Sequence, residues 1–206
     1  APAARPRSGY PDRAARAAGE DPVAFRLRHL AGEGVDQRRM RGVLTAVAEA
    51  SGWASPAAPG RSRGVAVHKS FNTYVAEVVE VSLQDGTFRI EKVTCAVDCG
   101  VAVNPDVIRA QMESGIGYGI GHVMRGAITF AEGAVDQSNF TDYEPLRIPD
   151  IAAIEVVIVA SDADPTGVGE PGVPPSGPAL ANAIAAAMPE APIFDLPLSL
   201  NGVDFV

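Results

Sequence analysis

A single carboxylate, Glu170, stands in the stretch Gly167-Val168-Gly169-Glu170-Pro171-Gly172-Val173-Pro174-Pro175, just ahead of a small-residue helix pattern over Pro178 to Met188. Glycine lets a backbone approach a ligand closely or take up positive φ, and proline stiffens the flanks. A Glu in that frame is better placed for acid–base chemistry than for plain solvation. By itself the pattern fits an ordinary turn as readily. Gln111 is the second candidate, an amide donor and acceptor one and a half turns into a helix pattern that opens at Asn104-Pro105. Asn104 reads as that helix's N-cap, and Asp98 beside Cys99-Gly100 as a hydrogen-bonding group that fixes a loop.

Other chemistries find little support. The histidines, His29, His68 and His122, are dispersed without ligand spacing, and no GxSxG elbow is present. Cys95 and Cys99 would lie about 13 Å apart along a strand, beyond disulfide reach, and read as two buried thiols. The glycines at 115, 117, 119 and 121 never fall into GxGxxG and sit inside a helix pattern. Each costs an isolated helix about 1 kcal/mol relative to alanine, so they point to something packing closely against that helix.

The elements that must position these residues follow from local signals. Asp21-Pro22 opens a helix, and a second runs from about Gln37 to Ala50 with Gly52 closing it. Residues 53–63 are a Pro/Ser/Gly-rich linker, and residues 1–19 carry no convincing pattern and read as poorly patterned or disordered. From Gly64 the period changes to strands: Val65 and Val67, Tyr74–Val81, and Phe88–Val97, with Asp85-Gly86 as a hairpin turn. A long helix from Asn104-Pro105 to about Arg125 follows, then short strands near Ile128–Phe130 and Ile154–Ala160, the Glu170 loop and a last helix. Hairpin strands with helices packed beside them give an α+β domain over 64–206, preceded by a helical segment over 20–52.

Composition sets the outer limits. Hydrophobic content of 47% and charged content of 20% are those of a globular protein. No apolar run reaches the roughly 18 residues of a membrane span. Residues 1–63 carry eleven Arg against six Asp/Glu, net +5, and residues 64–206 carry six Lys/Arg against nineteen Asp/Glu, net −13. The arginines are scattered among alanines and acids without aromatic interleaving, so a solvated or subunit-facing surface is expected and nucleic acid is not. The start at Ala1, with neither Met nor a signal peptide, reads as a fragment or processed piece and leaves a cytoplasmic or periplasmic location open.

Taken together, Ala96-Val97-Asp98-Cys99-Gly100, Val103-Asn104-Pro105, Arg109-Ala110-Gln111-Met112-Glu113, Gln137-Ser138-Asn139-Phe140-Thr141-Asp142-Tyr143, the Glu170 loop and Pro178-Ala179-Leu180-Ala181-Asn182-Ala183 carry a resemblance. In order and spacing they resemble the C-terminal part of the large subunit of bacterial molybdenum hydroxylases, the xanthine dehydrogenase and aldehyde oxidoreductase family. The isoquinoline 1-oxidoreductase beta-subunit branch resembles them most. The resemblance spans residues 20–187 and departs at Ser114, where the family has Gly, and over Met188–Pro192.

The resemblance implies a molybdopterin cofactor carrying molybdenum, as the cytosine dinucleotide, with the metal held by the pterin dithiolene and not by side chains. It implies that Gln111, Gly167 and Gly169 bind the cofactor and that Glu170 is the general base. The base must be ionised when substrate arrives, and partial burial would raise its pKa toward working pH. The implied reaction is hydroxylation of an N-heteroaromatic substrate with water-derived oxygen; aldehyde oxidation to a carboxylic acid is the alternative. No cysteine set could hold iron–sulfur clusters, which implies a separate small [2Fe–2S] subunit as partner. The rest of the large subunit would complete the pocket, so this stretch alone is expected to be inactive. A non-catalytic scaffold piece is the rival reading, and an intact Glu170 loop argues against it.

Overall fold

The computed structural model describes residues 9–189 and 195–206. Its spine is an antiparallel meander of β1 (Arg61–Ser70), β2 (Thr73–Gln84) and β3 (Thr87–Asp98). Two tight turns join these strands, at Phe71-Asn72 and Asp85-Gly86, and all four residues have positive φ. That is the turn geometry whose twist matches the twist of the paired strands. A small exposed hairpin, β4 (Phe130–Ala131) and β5 (Ala134–Val135), stands apart. Finally β6 (Ile154–Ile158) and β7 (Asp204–Phe205) add to the free edge of β3, both parallel to it. The sheet is therefore mixed, and the class is α+β as the sequence suggests.

Helices cover both faces. On one side lie α2 (Pro22–His29) and α3 (Val35–Ala50), whose Val23, Val43, Leu44 and Val47 share a core with Val65, Tyr74, Ala76, Val78 and Ala96 of the sheet. The opposite face carries α4 (Pro105–Met124) and α5 (Val173–Ala187), which bury Met112, Ile116, Ile120, Leu180 and Ile184 against Val75, Val79, Val93, Cys95 and Val97. Strands buried on both faces read as continuous apolar runs, as Tyr74–Val81 does. Glu91 is an extra residue opposite the Glu80/Val81 step of β2. This bulge shifts the parity of β3, so that Phe88 and Ile90 share a face with Val93 and Cys95.

Three features differ from the sequence reading. Gly9–Ala17, within the unpatterned stretch 1–19, forms a helix, α1; residues 1–8 lie outside the described part. It is fastened by ion pairing of Asp12 to Arg26 of α2 and by Arg16, which donates to Asn182 O (3.0 Å) and Ala185 O (2.6 Å) of α5. These partners are distant in sequence and leave no local pattern. Residues 20–52 share their core with the sheet across the 53–63 linker. The last helix starts at Val173, five residues before Pro178. Pro174 and Pro175 occupy its first turn, where their missing N–H groups would have had no intrahelical acceptor.

The glycines of α4 have a specific neighbour. A Cβ at Gly115 would lie 3.2 Å from Gly172 Cα, and one at Gly119 would lie 2.6 Å from Val173 O. The first turn of α5 thus rests on the backbone of α4, as the run of glycines suggests. Among the described residues no helix is long and apolar enough to cross a membrane. Gly119→Ala should destabilise this chain by about 1–3 kcal/mol in urea unfolding, because the new methyl meets backbone. The same change on an exposed helix face would stabilise by about 1 kcal/mol, so the sign tests the contact.

Candidate functional site

Glu170 sits at the exposed tip between β6 and α5, with Pro171 and Gly172 buried behind it. The chain reaching it is fastened at several points. Val101 N–H donates to Ala163 O (2.9 Å), and Thr166 N–H donates to Cys99 O (2.9 Å). Thr73, fully buried at the start of β2, donates from Oγ1 to Gly167 O (2.7 Å) and lies 2.6 Å from Thr166 Oγ1. Past the tip, Val173 N–H donates to Glu170 O (2.9 Å) and starts α5. The Glu170 backbone is therefore tied down while its carboxylate stays free of hydrogen bonds and ion pairs among the described residues. The partial burial expected for a base is not supplied by this chain, where Glu170 is exposed.

The loop glycines act differently from one of the two options the sequence leaves open. None of Gly167, Gly169 and Gly172 has positive φ. A Cβ at Gly169 would meet nothing within 4 Å, and one at Gly167 would only touch Phe71 Cβ at 3.7 Å. Space beside the backbone remains as the physical role, the condition for close approach by a ligand. Gly172 is packed: its missing Cβ would meet Met112 O at 3.2 Å. That contact brings the segment of α4 carrying Gln111 against the loop carrying Glu170. Gln111 is half-buried and its amide has no partner among the described residues, so donor and acceptor are both available.

Behind the loop lies an ion-pair frame. Asp98, at the end of β3, takes a bidentate pair from Arg39 of α3, Nε to Oδ2 at 2.7 Å and Nη2 to Oδ1 at 2.6 Å. Oδ1 also accepts from Gly100 N–H at 3.1 Å, the loop-fixing role read from sequence. Burial would raise the Asp98 pKa, but the Arg39 and Gly100 hydrogen bonds bring it below the usual carboxylate value. The Arg39 guanidinium lies 4.4 Å from the Tyr74 ring centre, and the Tyr74 hydroxyl donates to Asp36 at 2.5 Å. Gly100 has φ +77, and a Cβ there would sit 2.1 Å from Asp164 O, so the loop passes directly over it. Asn104 caps α4 by accepting from Val107 N–H at 3.1 Å. Cys95 and Cys99 are buried free thiols.

Other groups stay apart. Among the described residues there is no cluster of three or more His, Cys, Asp or Glu side chains that could hold a metal. A shallow groove on the far flank of α4, lined by Tyr118, His122, Tyr143 and Leu146, holds none of the predicted site residues. One residue that sequence reasoning passed over lies within the core. Glu77 on β2 is fully buried beneath the first turn of α5. Its signal was an acid at the core-facing parity of Val75 and Val79, in contrast to Glu80.

Comparison with known proteins identifies the family. The molybdopterin cofactor-binding domain family matches residues 30–152. The isoquinoline 1-oxidoreductase subunit beta of Brevundimonas diminuta is 37% identical over 179 residues, 84% of this chain and 22% of that protein. A membrane-bound aldehyde dehydrogenase [pyrroloquinoline-quinone] of Gluconacetobacter polyoxogenes is 30% identical over 190 residues, 82% of this chain and 24% of that protein. Among solved structures, quinoline 2-oxidoreductase from Pseudomonas putida 86 shares the fold with a TM-score of 0.58 at 20% identity, over 61% of this chain and 17% of that one. The fold and the matched region define a molybdopterin cofactor-binding domain. The chain belongs to that family, and within it to the large subunits of the molybdenum hydroxylases. It spans about a quarter of the length of the curated relatives it matches.

Removing the Arg39 guanidinium would strand a buried carboxylate. Arg39→Ala should cost about 3 kcal/mol at neutral pH, and Arg39→Lys should not restore the bidentate pair. The folded pKa of Asp98 is lowered, so its contribution is present above its unfolded value and lost as pH falls through the folded one. The difference between wild type and Arg39→Ala in urea unfolding should therefore shrink below about pH 4.

Proposed function

We propose that this chain forms part of the large subunit of a molybdenum-dependent oxidoreductase that hydroxylates N-heteroaromatic substrates with water-derived oxygen, with Glu170 as general base. The carrying observation is the Glu170 loop itself: its backbone is fastened by Thr73, Cys99 and Val173, while the exposed carboxylate has no hydrogen bond or ion pair among the described residues. Its similarity to isoquinoline 1-oxidoreductase subunit beta supports the substrate class.

The residues present fit a molybdopterin. Gln111 offers an unpaired amide, and Gly167 and Gly169 leave open space beside their backbone. Gln111 would hold the cofactor, as the cytosine dinucleotide, through hydrogen bonds, and the two glycines would let it approach the loop. The bound cofactor supplies a two-electron acceptor. Glu170 takes the proton from the attacking oxygen, so that a C–H of the substrate is replaced by C–OH and two electrons and two protons leave. Pro171, Pro174 and Pro175 stiffen the backbone that carries the carboxylate during that transfer. A small [2Fe–2S] partner subunit would take up the electrons, and the remainder of the large subunit would close the pocket and shield Glu170 from water. Aldehyde oxidation on the same scaffold is the second reading, favoured by the likeness to an aldehyde dehydrogenase.

In the complete enzyme, with an artificial electron acceptor, Glu170→Gln should lower turnover by about 10²–10⁴-fold at unchanged molybdenum content. Equal turnover by wild type and variant would rule out Glu170 as the base. Faster turnover of isoquinoline than of benzaldehyde is expected, and the reverse would select the aldehyde reading. Gln111→Ala should lower cofactor retention, read as molybdenum per subunit after dialysis. This chain alone should retain no molybdenum.

A further inference from the structure

Glu77 lies at the centre of β2, paired with Ala66 of β1 and Cys95 of β3, and its side chain enters the core beneath α5. It is 0% exposed, and neither carboxyl oxygen has a hydrogen-bond partner. The groups that face it are few. Ala66 and Cys95 flank it in the sheet, and Ser176 of α5 is the polar side chain beside it. No cation lies among them, and burial and Glu77 itself push the Cys95 thiol well up. Burial pushes the Glu77 carboxyl up to about 8, the direction that favours its protonated form, with only the Ser176 hydroxyl acting the other way.

Ser176 is fully buried in the first turn of α5, and its hydroxyl donates to Gly172 O at 2.6 Å. Its one proton is thus committed, and toward Glu77 it offers a lone pair. A carboxylic acid can donate to that lone pair; a carboxylate cannot, and would compete with Gly172 O for the serine proton. Gly172 lies two residues from Glu170, and the same turn is held to the loop by Val173 N–H to Glu170 O and to α4 at Gly119.

We propose that Glu77 is a positioning residue for the Glu170 loop: in its protonated form it donates to Ser176 Oγ, and the relay through Ser176 to the Gly172 carbonyl fixes the first turn of α5 in the setting that presents Glu170. The inference rests on Glu170 as the base. An apolar residue would fill the same space without the desolvation penalty of a buried acid, so packing alone gives no reason for a glutamic acid there.

The test uses the complete cofactor-loaded enzyme with Glu77→Gln, Glu77→Val and Ser176→Ala, each checked for molybdenum content and melting temperature. Glu77→Val and Ser176→Ala should lower kcat about tenfold with KM within about twofold, since the base is misplaced while substrate contacts remain. Glu77→Gln keeps a donor that cannot ionise, and should restore most of that loss. Wild-type kcat should fall at alkaline pH toward the Glu77→Val level, and Glu77→Gln should lack that decline. Independently of turnover, the infrared carbonyl band of a protonated carboxylic acid should be present at neutral pH, fade through the same alkaline range, and be missing from Glu77→Gln.

Full kcat in Glu77→Val, an unchanged alkaline decline in Glu77→Gln, or no Glu77-dependent band at neutral pH would each overturn the inference. Retained turnover in Glu170→Gln would instead remove the base assignment, and the infrared titration would still report the state of Glu77.

Discussion

The first turn of α5 rests backbone to backbone on α4, and the presentation of the Glu170 loop depends on that contact. Helix axes normally stand 8–10 Å apart because side chains separate them. Here Gly115 and Gly119 on one side and Gly172 on the other remove the spacers. The chain leaving β6 is thereby drawn in over the ends of β2 and β3. Within that reach lie Thr73, Cys99 and Val101, which supply its hydrogen bonds. A methyl group at Gly119 would lift the turn and with it the tip of the loop.

The two faces of the sheet divide the labour. On the α3 side, Arg39 holds Asp98, with its guanidinium stacked over Tyr74. That fixes the end of β3, over which the loop passes at Gly100. On the α4 and α5 side the core is mainly apolar, with Glu77 and Ser176 among its few buried polar groups. The ion-paired strand end and the glycine seam both support the loop that presents Glu170. The carboxylate is left exposed, facing whatever covers it in the complete subunit.

Much of the framework was legible because its signals are local. Asp21 accepts from Val23 and Ala24 N–H, Asn104 accepts from Val107 N–H, and Asp85-Gly86 turns with both residues at positive φ. Each involves residues within three positions of one another, and residue type nearly decides the outcome. The glycine run in α4 announced a close neighbour without saying which. The start of α5 was misjudged because prolines suggest a loop wherever their missing N–H matters, and in a first turn it does not. Helix α1 was invisible because its fastening is to Arg26 and α5, not to its own sequence.

Neighbours along the chain decide most of the elements, the order of the motifs and the setting of Glu170 in a Gly/Pro loop, since those signals are local. Tertiary structure decided the rest. It set the parallel addition of β6 and β7 and the joining of Met112 to Gly172, which bring together segments far apart in sequence. It also decided which acids keep their charge. Asp98 and Glu77 are both carboxylates in apolar strands, but Asp98 meets a guanidinium and Glu77 meets only a serine hydroxyl. Glu77 is the more deeply buried of the two and Asp98 alone has a cation, so depth and partner, both set by the fold, separate them.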